Sequence, residues 1–431
     1  MYKELSGREV RETNYWMKNI LRGSAALCVL FGLAVALVFY NNIPQAKRKV
    51  GVDQTPSLSP SKKVIEEYFQ RNSNVGGFIG GVAGALFSLA GVFLLYLNLR
   101  VQNENGERDK VEGRFFELTR LHRENISELA FRHARTGEFI ATGRRVFKEI
   151  YDQILEASSI ADCIFAVHPP VNVLRSGITC HLPEELIYDF AKISLSYNIV
   201  LYGVAKDNDN STFNALVVDF EEGFVEEAIR IYRLVPAKYE LKERKAWCQM
   251  VKSDLFKLFI NLKDCDEKEL KFDGLNEEEV ESSRKCIDIY YKCLGSRSDK
   301  YYKRFGGHQH KIGHYFRHLF QTVKYIDKQV ILSYKEKYDY IKTLRGQMSN
   351  YEQYVLFYNS LSSVGREWEF NHYKPLRREK FLISKYNLIK NIPDTNANKI
   401  HISSFYPLVD FEFQPPSSLR KAVANESWDE L

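Results

Sequence analysis

The chain has 431 residues, of which 61 are Lys or Arg and 55 are Asp or Glu, so its formal net charge is +6. The two signs alternate along the chain, which argues against a dedicated nucleic-acid face built from clustered basic residues. The seven cysteines include no CxxC pair, which argues against a disulfide framework and a zinc ribbon. Scattered thiols of this kind are typical of a cytosolic domain.

Two apolar stretches, residues 23–40 and 76–97, lie in the first hundred residues, and neither contains a charged side chain. As helices they would extend over roughly 27 and 33 Å, against a hydrocarbon core about 30 Å thick. The first stretch ends in Phe39 and Tyr40 rather than in a small-residue cleavage site, so a removed signal peptide is not favoured. We therefore predict a cytosolic tail over residues 1–22 and a two-helix transmembrane hairpin over residues 23–98.

The basic residues around this hairpin predict its orientation. Nine lie in the tail and just after the second stretch, and six lie in the connecting loop. An excess of Lys and Arg marks the cytoplasmic side of a membrane protein. We expect a multi-pass protein of the bacterial inner membrane whose C-terminal domain is cytoplasmic.

Glycines recur in the second stretch at four-residue spacing, which places them on shared helix faces where another backbone can approach closely. This pattern predicts helix packing within the hairpin or between protomers of a homo-oligomer, although a generic glycine-rich span would look similar. The glycines are Gly76, Gly77, Gly80, Gly81 and Gly84.

The remainder of the chain reads as mainly α. Apolar and aromatic residues at three- and four-residue spacing predict a stalk helix over residues 99–135, which Thr136-Gly137 ends. A predominantly helical cytosolic domain follows over residues 136–413, and residues 414–431 form a flexible tail. A few short strands are possible in the middle region, 158–235, where residues 198–204 and 215–220 are apolar runs. Ser349 and Glu352 have capping-box spacing at the start of a late helix.

Few residues carry a recognisable chemistry. The chain has no GxxxxGK[ST] loop, no GxSxG elbow and no HExxH motif, so we expect no cofactor and do not favour an enzyme. His310, His314 and His318 share a helix face and could present imidazoles to a metal, but a polar helix face explains them more simply.

One sequence pattern is compatible with an enzyme, namely an RNase. Some helical RNases use an Arg followed by a His after four to six residues, with the His as acid and base. Arg304 with His310 is the best-placed match. Arg175 with His181 and Arg366 with His372 also fit, and about two such matches are expected by chance from composition.

Three segments, residues 114–129, 313–327 and 340–362, resemble the phage abortive-infection protein family of the C type. They are also similar to two-span membrane effectors of retron defence systems. The resemblance implies two N-terminal transmembrane helices and a role in antiviral defence, and it assigns no catalytic residue. One departure is Phe320, where the family commonly has a Tyr.

The resemblance marks a set of polar residues that we expect inside a helical bundle. Because an unpaired buried charge is costly, we expect at least one of the arginines to pair with Glu352 or with a neighbouring carbonyl. Such a cluster serves either as a sensor or as a packing element. Its members are His122, Tyr315, Arg317, Arg345, Gln347, Tyr351, Glu352 and Asn359.

The sequence therefore leads to a membrane-anchored antiphage effector of the abortive-infection type. Its cytosolic helical domain would sense infection or a partner and trigger membrane disruption or growth arrest, which makes the protein a conditional toxin. The alternatives are a membrane-tethered RNase that uses Arg304 and His310, and a non-catalytic scaffold that recruits a defence partner. The expected partners are the lipid bilayer, further copies of the chain, and a reverse transcriptase with its RNA–DNA product or another defence protein.

Overall fold

The computed structural model describes residues 62–132, 139–180, 182–204, 209–234, 305–369, 381–393 and 399–415, together with Glu281 and separate positions between 19 and 37. These residues are mainly helical, as the sequence predicts. Contacts divide the chain into two compact units, Met1–Glu112 and Gly113–Leu431.

The longest element is helix α1, Lys62–Ser127. From Gly84 onwards it is long and apolar enough to cross a membrane, and within the described residues it alone meets that test. Val92 and Leu95 each expose 60% of their surface and Leu94 exposes 55%, so this segment does not pack as a core helix. The first predicted span is described only at separate helical positions between residues 23 and 37, and residues 38–61 lie outside the described residues, so the two-helix hairpin stays a prediction. At Gly32 an added Cβ would lie 3.3 Å from the Phe87 ring.

After α1 the chain forms a short antiparallel hairpin of β1, Ala130–Arg132, and β2, Phe139–Thr142. The stalk was expected to stay helical to residue 135, whereas α1 ends at Ser127. Phe131 is buried and its ring lies 5.3 Å from His308, so tertiary packing favours an extended conformation here.

Helices make up most of the second unit. In chain order they are α2 (Arg145–Val167), α3 (Pro170–Val173), α4 (Ser176–Thr179), α5 (Glu184–Tyr202), α6 (Asp209–Leu216), α7 (Glu222–Leu234), α8 (Gln309–Asp327), α9 (Tyr334–Arg345), α10 (Asn350–Leu361), α11 (Leu382–Tyr386) and α12 (Ile402–Phe405). Arg366–Trp368 form a 3₁₀ turn after α10.

Helices α2, α5 and α10 pack on one another and form the core of this unit. Helix α5 is buried on almost every side, from Leu186 to Leu201. A helix that is buried on all sides lacks a polar face, so its sequence does not show the alternation of apolar and polar residues that marks a surface helix. For this reason residues 198–204, at the end of α5, were predicted as a candidate strand. The described middle region is helical instead, with an isolated bridge between Leu174 and Phe220.

Two features fix the positions of α5, α8 and α10. Helix α5 ends at Gly203, whose φ of +81° suits glycine, and a Cβ there would lie 2.5 Å from the Gly307 nitrogen. The Val204 amide donates to the Phe305 carbonyl at 2.9 Å, which holds the start of α8 beside the end of α5. Ser349 and Glu352 form the predicted capping box at the start of α10.

Candidate functional site

The polar residues marked by the family resemblance separate onto opposite faces of α8. Successive residues of a helix are rotated by about 100°, so Tyr315 and His318 lie on one face and Phe316, Arg317 and Phe320 on the other. The residues of the first face lie beside His122, Arg144 and Glu352. We call these five residues the buried cluster: His122, Arg144, Tyr315, His318 and Glu352. The second face lines a cleft against α5, α10 and the turn at residues 364–368.

The imidazole of His122 lies at the centre of the buried cluster. It is fully buried, and its ring centroid lies 5.0 Å from that of Tyr315 and 6.1 Å from that of His318. Neither ring nitrogen of His122 or His318, nor the Tyr315 hydroxyl, has a hydrogen-bond partner among the described residues. An unsatisfied buried polar group costs about 1–3 kcal/mol, so the cluster concentrates destabilising groups at one place.

Glu352 lies beside these rings and is held from two sides. Its Oε2 accepts a hydrogen bond from the Ser349 amide at 2.6 Å, as the capping box requires. Its Oε1 lies 3.7 Å from Nε of Arg144, and Nη2 of the same arginine donates to the Gln347 carbonyl. The cation beside Glu352 is therefore one that the sequence did not single out, because Arg144 lies more than two hundred positions away.

The electrostatics of the cluster follow from its burial. Burial raises the pKa of Glu352 to about 7, against the lowering effects of the Ser349 hydrogen bonds and of Arg144. Burial lowers the pKa of His122 to about 4, and the neighbouring His318 and Arg144 lower it further. The pKa of His318 is also lowered by burial, and next by Arg114. The charge of Glu352 therefore changes near pH 7.

The other polar residues marked by the family resemblance lie outside the buried cluster. Nη1 of buried Arg345 donates to the carbonyls of Tyr386 and Asn387 at 3.2 and 2.9 Å, so this arginine pairs with carbonyls rather than with Glu352. The ring of Tyr351 lies 5.8 Å from that of Tyr151 and is partly exposed. The side-chain oxygen of Gln347 is buried and has no hydrogen-bond partner within the described part of the chain.

The cleft on the opposite face of α8 has a volume of about 350 Å³. Small-molecule sites usually measure roughly 300–1,000 Å³. Its walls are largely aromatic, and its polar groups are amides, a guanidinium and a carboxylate. The aromatic walls include Tyr197, Tyr202, Phe316, Phe320 and Trp368, and the polar groups include Gln309, Arg317, Gln321, Asn359 and Glu367.

Several contacts fix the cleft walls. Nε of Arg317 donates to the Gly313 carbonyl at 3.2 Å, and its Nη2 lies 3.3 Å from Nδ1 of His314. Nδ2 of Asn359 donates to the Tyr197 hydroxyl at 2.9 Å. The rings of Phe320 and Trp368 meet edge to face at 5.0 Å. Phe320 is therefore a packing residue of the cleft wall.

The turn that closes the cleft is anchored in the core. Arg366 forms an ion pair with Asp219, which is fully buried and also accepts a hydrogen bond from Ser194 at 2.5 Å. At Gly365 a Cβ would lie 2.0 Å from the Asn359 carbonyl oxygen, so the chain approaches α10 more closely than a side chain allows. In the sequence, Arg366 was considered only as part of an RNase pattern. In the structure, it forms a buried ion pair that anchors the turn to the core.

The histidine alternatives find different environments. His310 is exposed, His314 contacts Arg317 and His318 faces the buried cluster. Within the described ranges no group of three His, Cys, Asp or Glu side chains is arranged to hold a metal ion. Partial burial lowers the pKa of His310, and Lys311 lowers it further. Arg304, His181 and His372, which complete the RNase patterns, lie outside the described residues.

The glycines predicted to pack helices show an open face. A Cβ at Gly77, Gly81 or Gly84 would meet no atom within 4 Å. The surroundings of Gly76 and Gly80 lie outside the described part of α1. The role of all five in helix packing stays a prediction.

A comparison with protein families gives a match in the C-terminal part of this chain. Residues 307–397 match the profile of a family described as "Putative phage abortive infection protein". This segment contains α8, α9, α10, the 3₁₀ turn and α11, and therefore supplies most of the cleft and three of the five residues of the buried cluster. No curated protein and no solved structure matches the chain.

Proposed function

We propose that the protein is a membrane-anchored antiphage effector of the abortive-infection type. In this proposal the second unit responds to an infection cue in the cytoplasm, and the response disrupts the bilayer or arrests growth. The observation that carries the proposal is the family match over residues 307–397, because this segment supplies three of the five residues of the buried cluster and most of the cleft lining. The chain acts at the bacterial inner membrane as a homo-oligomer, and a reverse-transcriptase partner stays a prediction.

Exposed apolar surface on α1 supports the membrane anchor. Soluble proteins rarely expose contiguous apolar surface, yet Val92, Leu94, Leu95 and Leu99 each expose more than half of their surface. A bilayer accepts such a surface, since lipid tails solvate apolar side chains. The approach of Gly32 to Phe87 supports a second apolar helix beside α1. The open glycine face of α1 leaves room for a helix of another protomer.

Within the second unit, the buried cluster joins α8 and α10 to the last part of α1. His122 belongs to α1, whereas Tyr315 and His318 belong to α8 and Glu352 to α10. A cue that changes the position of α8 changes the packing of its rings against His122. A cue shifts this equilibrium only if it binds one arrangement more tightly than the other. We propose that the cluster is the element with two arrangements.

The anchor is tested with one substitution at two matched positions. Val92→Arg places a charge in the apolar segment of α1, which costs roughly 2.5–3.5 kcal/mol at the centre of a bilayer. Val330→Arg makes the same change at a residue of the second unit that is equally exposed, at 63% against 60%. We expect Val92→Arg alone to leave the membrane fraction and to lose protection in a plaque assay. The anchor is refuted if both variants stay membrane-bound and protective.

A voltage-sensitive dye in phage-infected cells separates the two proposed outcomes. Depolarisation that depends on the wild-type chain and is absent for Val92→Arg supports membrane disruption. Growth arrest with an unchanged membrane potential refutes disruption. RNA integrity in wild-type and His310→Ala cells then tests the nuclease alternative, which requires RNA loss that the variant abolishes.

A further inference from the structure

The cleft between α5, α8 and α10 has the features of a small-molecule site. Its volume of about 350 Å³ lies at the lower end of the range for such sites. This volume suits one ring system with a short polar group, and it is too small for a folded partner or an oligonucleotide. Nothing in the abortive-infection description assigns a ligand to it.

The aromatic walls select a planar ring. Phe316, Phe320 and Trp368 line the cleft from α8 and the 3₁₀ turn, and Tyr197 and Tyr202 line it from α5. Aromatic side chains bind flat rings by offset stacking or by edge-to-face contact, worth about 0.5–1.5 kcal/mol for each pair beyond area burial. An aliphatic ligand of the same volume would not use these contacts.

The amides supply hydrogen bonds to the edge of such a ring. The side chains of Gln309 and Gln321 lie on the cleft and are exposed, and neither has a hydrogen-bond partner among the described residues. The buried Tyr197 hydroxyl accepts a hydrogen bond from Asn359, so its own proton is available to an acceptor. Amides that offer both a donor and an acceptor match the edges of a heterocyclic base.

The charges on the cleft select one anionic group. Arg317 is exposed, and its contacts with Gly313 and His314 use two of its three nitrogens and orient the guanidinium. An oriented guanidinium binds a phosphate or carboxylate through several donors. Glu367 also lines the cleft and repels further negative charge, so a polyphosphate is disfavoured.

We propose that this cleft binds a nucleoside monophosphate, with the base between the aromatic walls and the phosphate on Arg317. Nucleotide binding by the cleft does not depend on the proposed function. The further statement that the bound nucleotide is the infection cue rests on that function. Linear and cyclic monophosphates share this chemistry, and the test distinguishes them.

The test is calorimetric titration of the full-length protein in detergent with AMP, GMP, CMP and UMP, and with the corresponding 3′,5′-cyclic forms. Adenosine and inorganic phosphate are titrated as partial ligands. We expect at least one monophosphate to bind, and adenosine and phosphate to bind at least tenfold more weakly. The preferred form, linear or cyclic, identifies the source. Absence of binding by every monophosphate at about 1 mM, or phosphate binding as tightly as a nucleotide, overturns the proposal.

Two matched variants locate the site. Arg317→Gln removes the cleft guanidinium, and Arg123→Gln makes the same change at an exposed residue of α1 away from the cleft. We expect only the first to weaken nucleotide binding by tenfold or more, with adenosine binding unchanged. Equal effects of the two variants, or an equal loss of adenosine binding, overturn the assignment. Far-ultraviolet circular dichroism confirms that both variants are folded.

Protection assays separate this inference from the proposed function. If Arg317→Gln loses nucleotide binding but still protects against phage, the cleft binds a nucleotide that is not the cue. If the purified protein binds no nucleotide while the wild-type chain protects, the proposed function stands and the ligand assignment fails.

Discussion

The two faces of α8 differ in the surroundings of their polar groups. In the buried cluster, His122 and Tyr315 are buried without hydrogen-bond partners among the described residues. In the cleft, Arg317 is exposed and oriented, and Asn359 is paired with Tyr197. The polar groups of the cleft face are therefore exposed to solvent or paired within the protein, whereas the cluster face is left with an energetic cost. A helix with two such faces is suited to move when its cleft face gains a ligand.

The prediction with the largest expected effect concerns the buried ion pair of Arg366 and Asp219, which anchors the turn at the cleft. Asp219→Ala leaves Arg366 as a buried charge without its carboxylate, which costs about 3–5 kcal/mol. The matched control is Asp152→Ala, which breaks the exposed pair with Lys148 and costs about 0.5 kcal/mol or less. Denaturant titration of both variants measures the difference. Equal losses would mean that the turn is not anchored through Asp219.

The second prediction concerns the pH dependence of the buried cluster. The pKa of Glu352 rises from 4.5 to about 7 on folding, so its stabilising contribution is complete below pH 4.5 and is lost as the pH rises to 7. The pKa of His122 falls from 6.5 to about 4, so its contribution is present above pH 6.5 and is lost as the pH falls to 4. Each shift corresponds to about 3 kcal/mol, and between these values the two slopes oppose each other.

Glu352→Gln removes one of these opposing slopes. Relative to wild type, the variant should gain about 3 kcal/mol of stability as the pH rises from 4.5 to 7. The control is Glu336→Gln, which makes the same change in the half-buried capping box of α9. Denaturant titrations across this pH range give the two differences. Parallel profiles for the wild type and Glu352→Gln would show that Glu352 does not titrate near neutrality.

The third prediction tests the close approach at the cleft. Gly365→Ala places a Cβ against the Asn359 carbonyl oxygen, and relief of this overlap requires a backbone shift that costs about 1–3 kcal/mol. Gly113→Ala is the control, because its Cβ would meet no atom within 4 Å. We expect Gly365→Ala alone to lower the unfolding midpoint. An unchanged midpoint would show that the turn can move away from α10 without loss.

The smallest effect compares the same substitution at the cleft and in the buried cluster, the two sites that α8 separates. Tyr197→Phe removes the acceptor for Asn359 and should destabilise the protein by about 1 kcal/mol. Tyr315→Phe removes a hydroxyl that has no partner among the described residues, so it should be neutral or stabilising by up to about 1 kcal/mol. Opposite signs in parallel denaturation experiments support the comparison. A comparable loss for Tyr315→Phe would show that its hydroxyl is satisfied, for example by water.

Local sequence patterns predicted the parts of the fold that depend on neighbours in sequence. The capping box of Ser349 and Glu352 was predicted from its spacing, because both partners lie within one helical turn. The helical class followed from apolar periodicity. The end of α1 was placed too late, at residue 135, because the pairing of Phe131 with Ala141 depends on a second strand.

The site could be predicted only in part. The resemblance grouped His122, Tyr315 and Glu352, and the structure brings these three together, whereas Arg317 and Asn359 lie at the cleft. Arg144 and Asp219 were missed, since their partners lie far away in sequence. One signal was present for Asp219: an acid inside the apolar run 215–220 requires a partner when that run is buried.

The contact between α7 and the start of α8 has a consequence for the order in which the second unit folds. The ring of Tyr232, near the end of α7, lies 5.6 Å from the ring of Phe305, and the Phe305 carbonyl accepts a hydrogen bond from Val204. More than seventy positions separate Tyr232 from Phe305 in the sequence. Contacts of such large sequence separation form slowly, because the entropy of loop closure must be overcome before they contribute. We therefore expect this contact to form late in folding, after the local turns of α7 and α8.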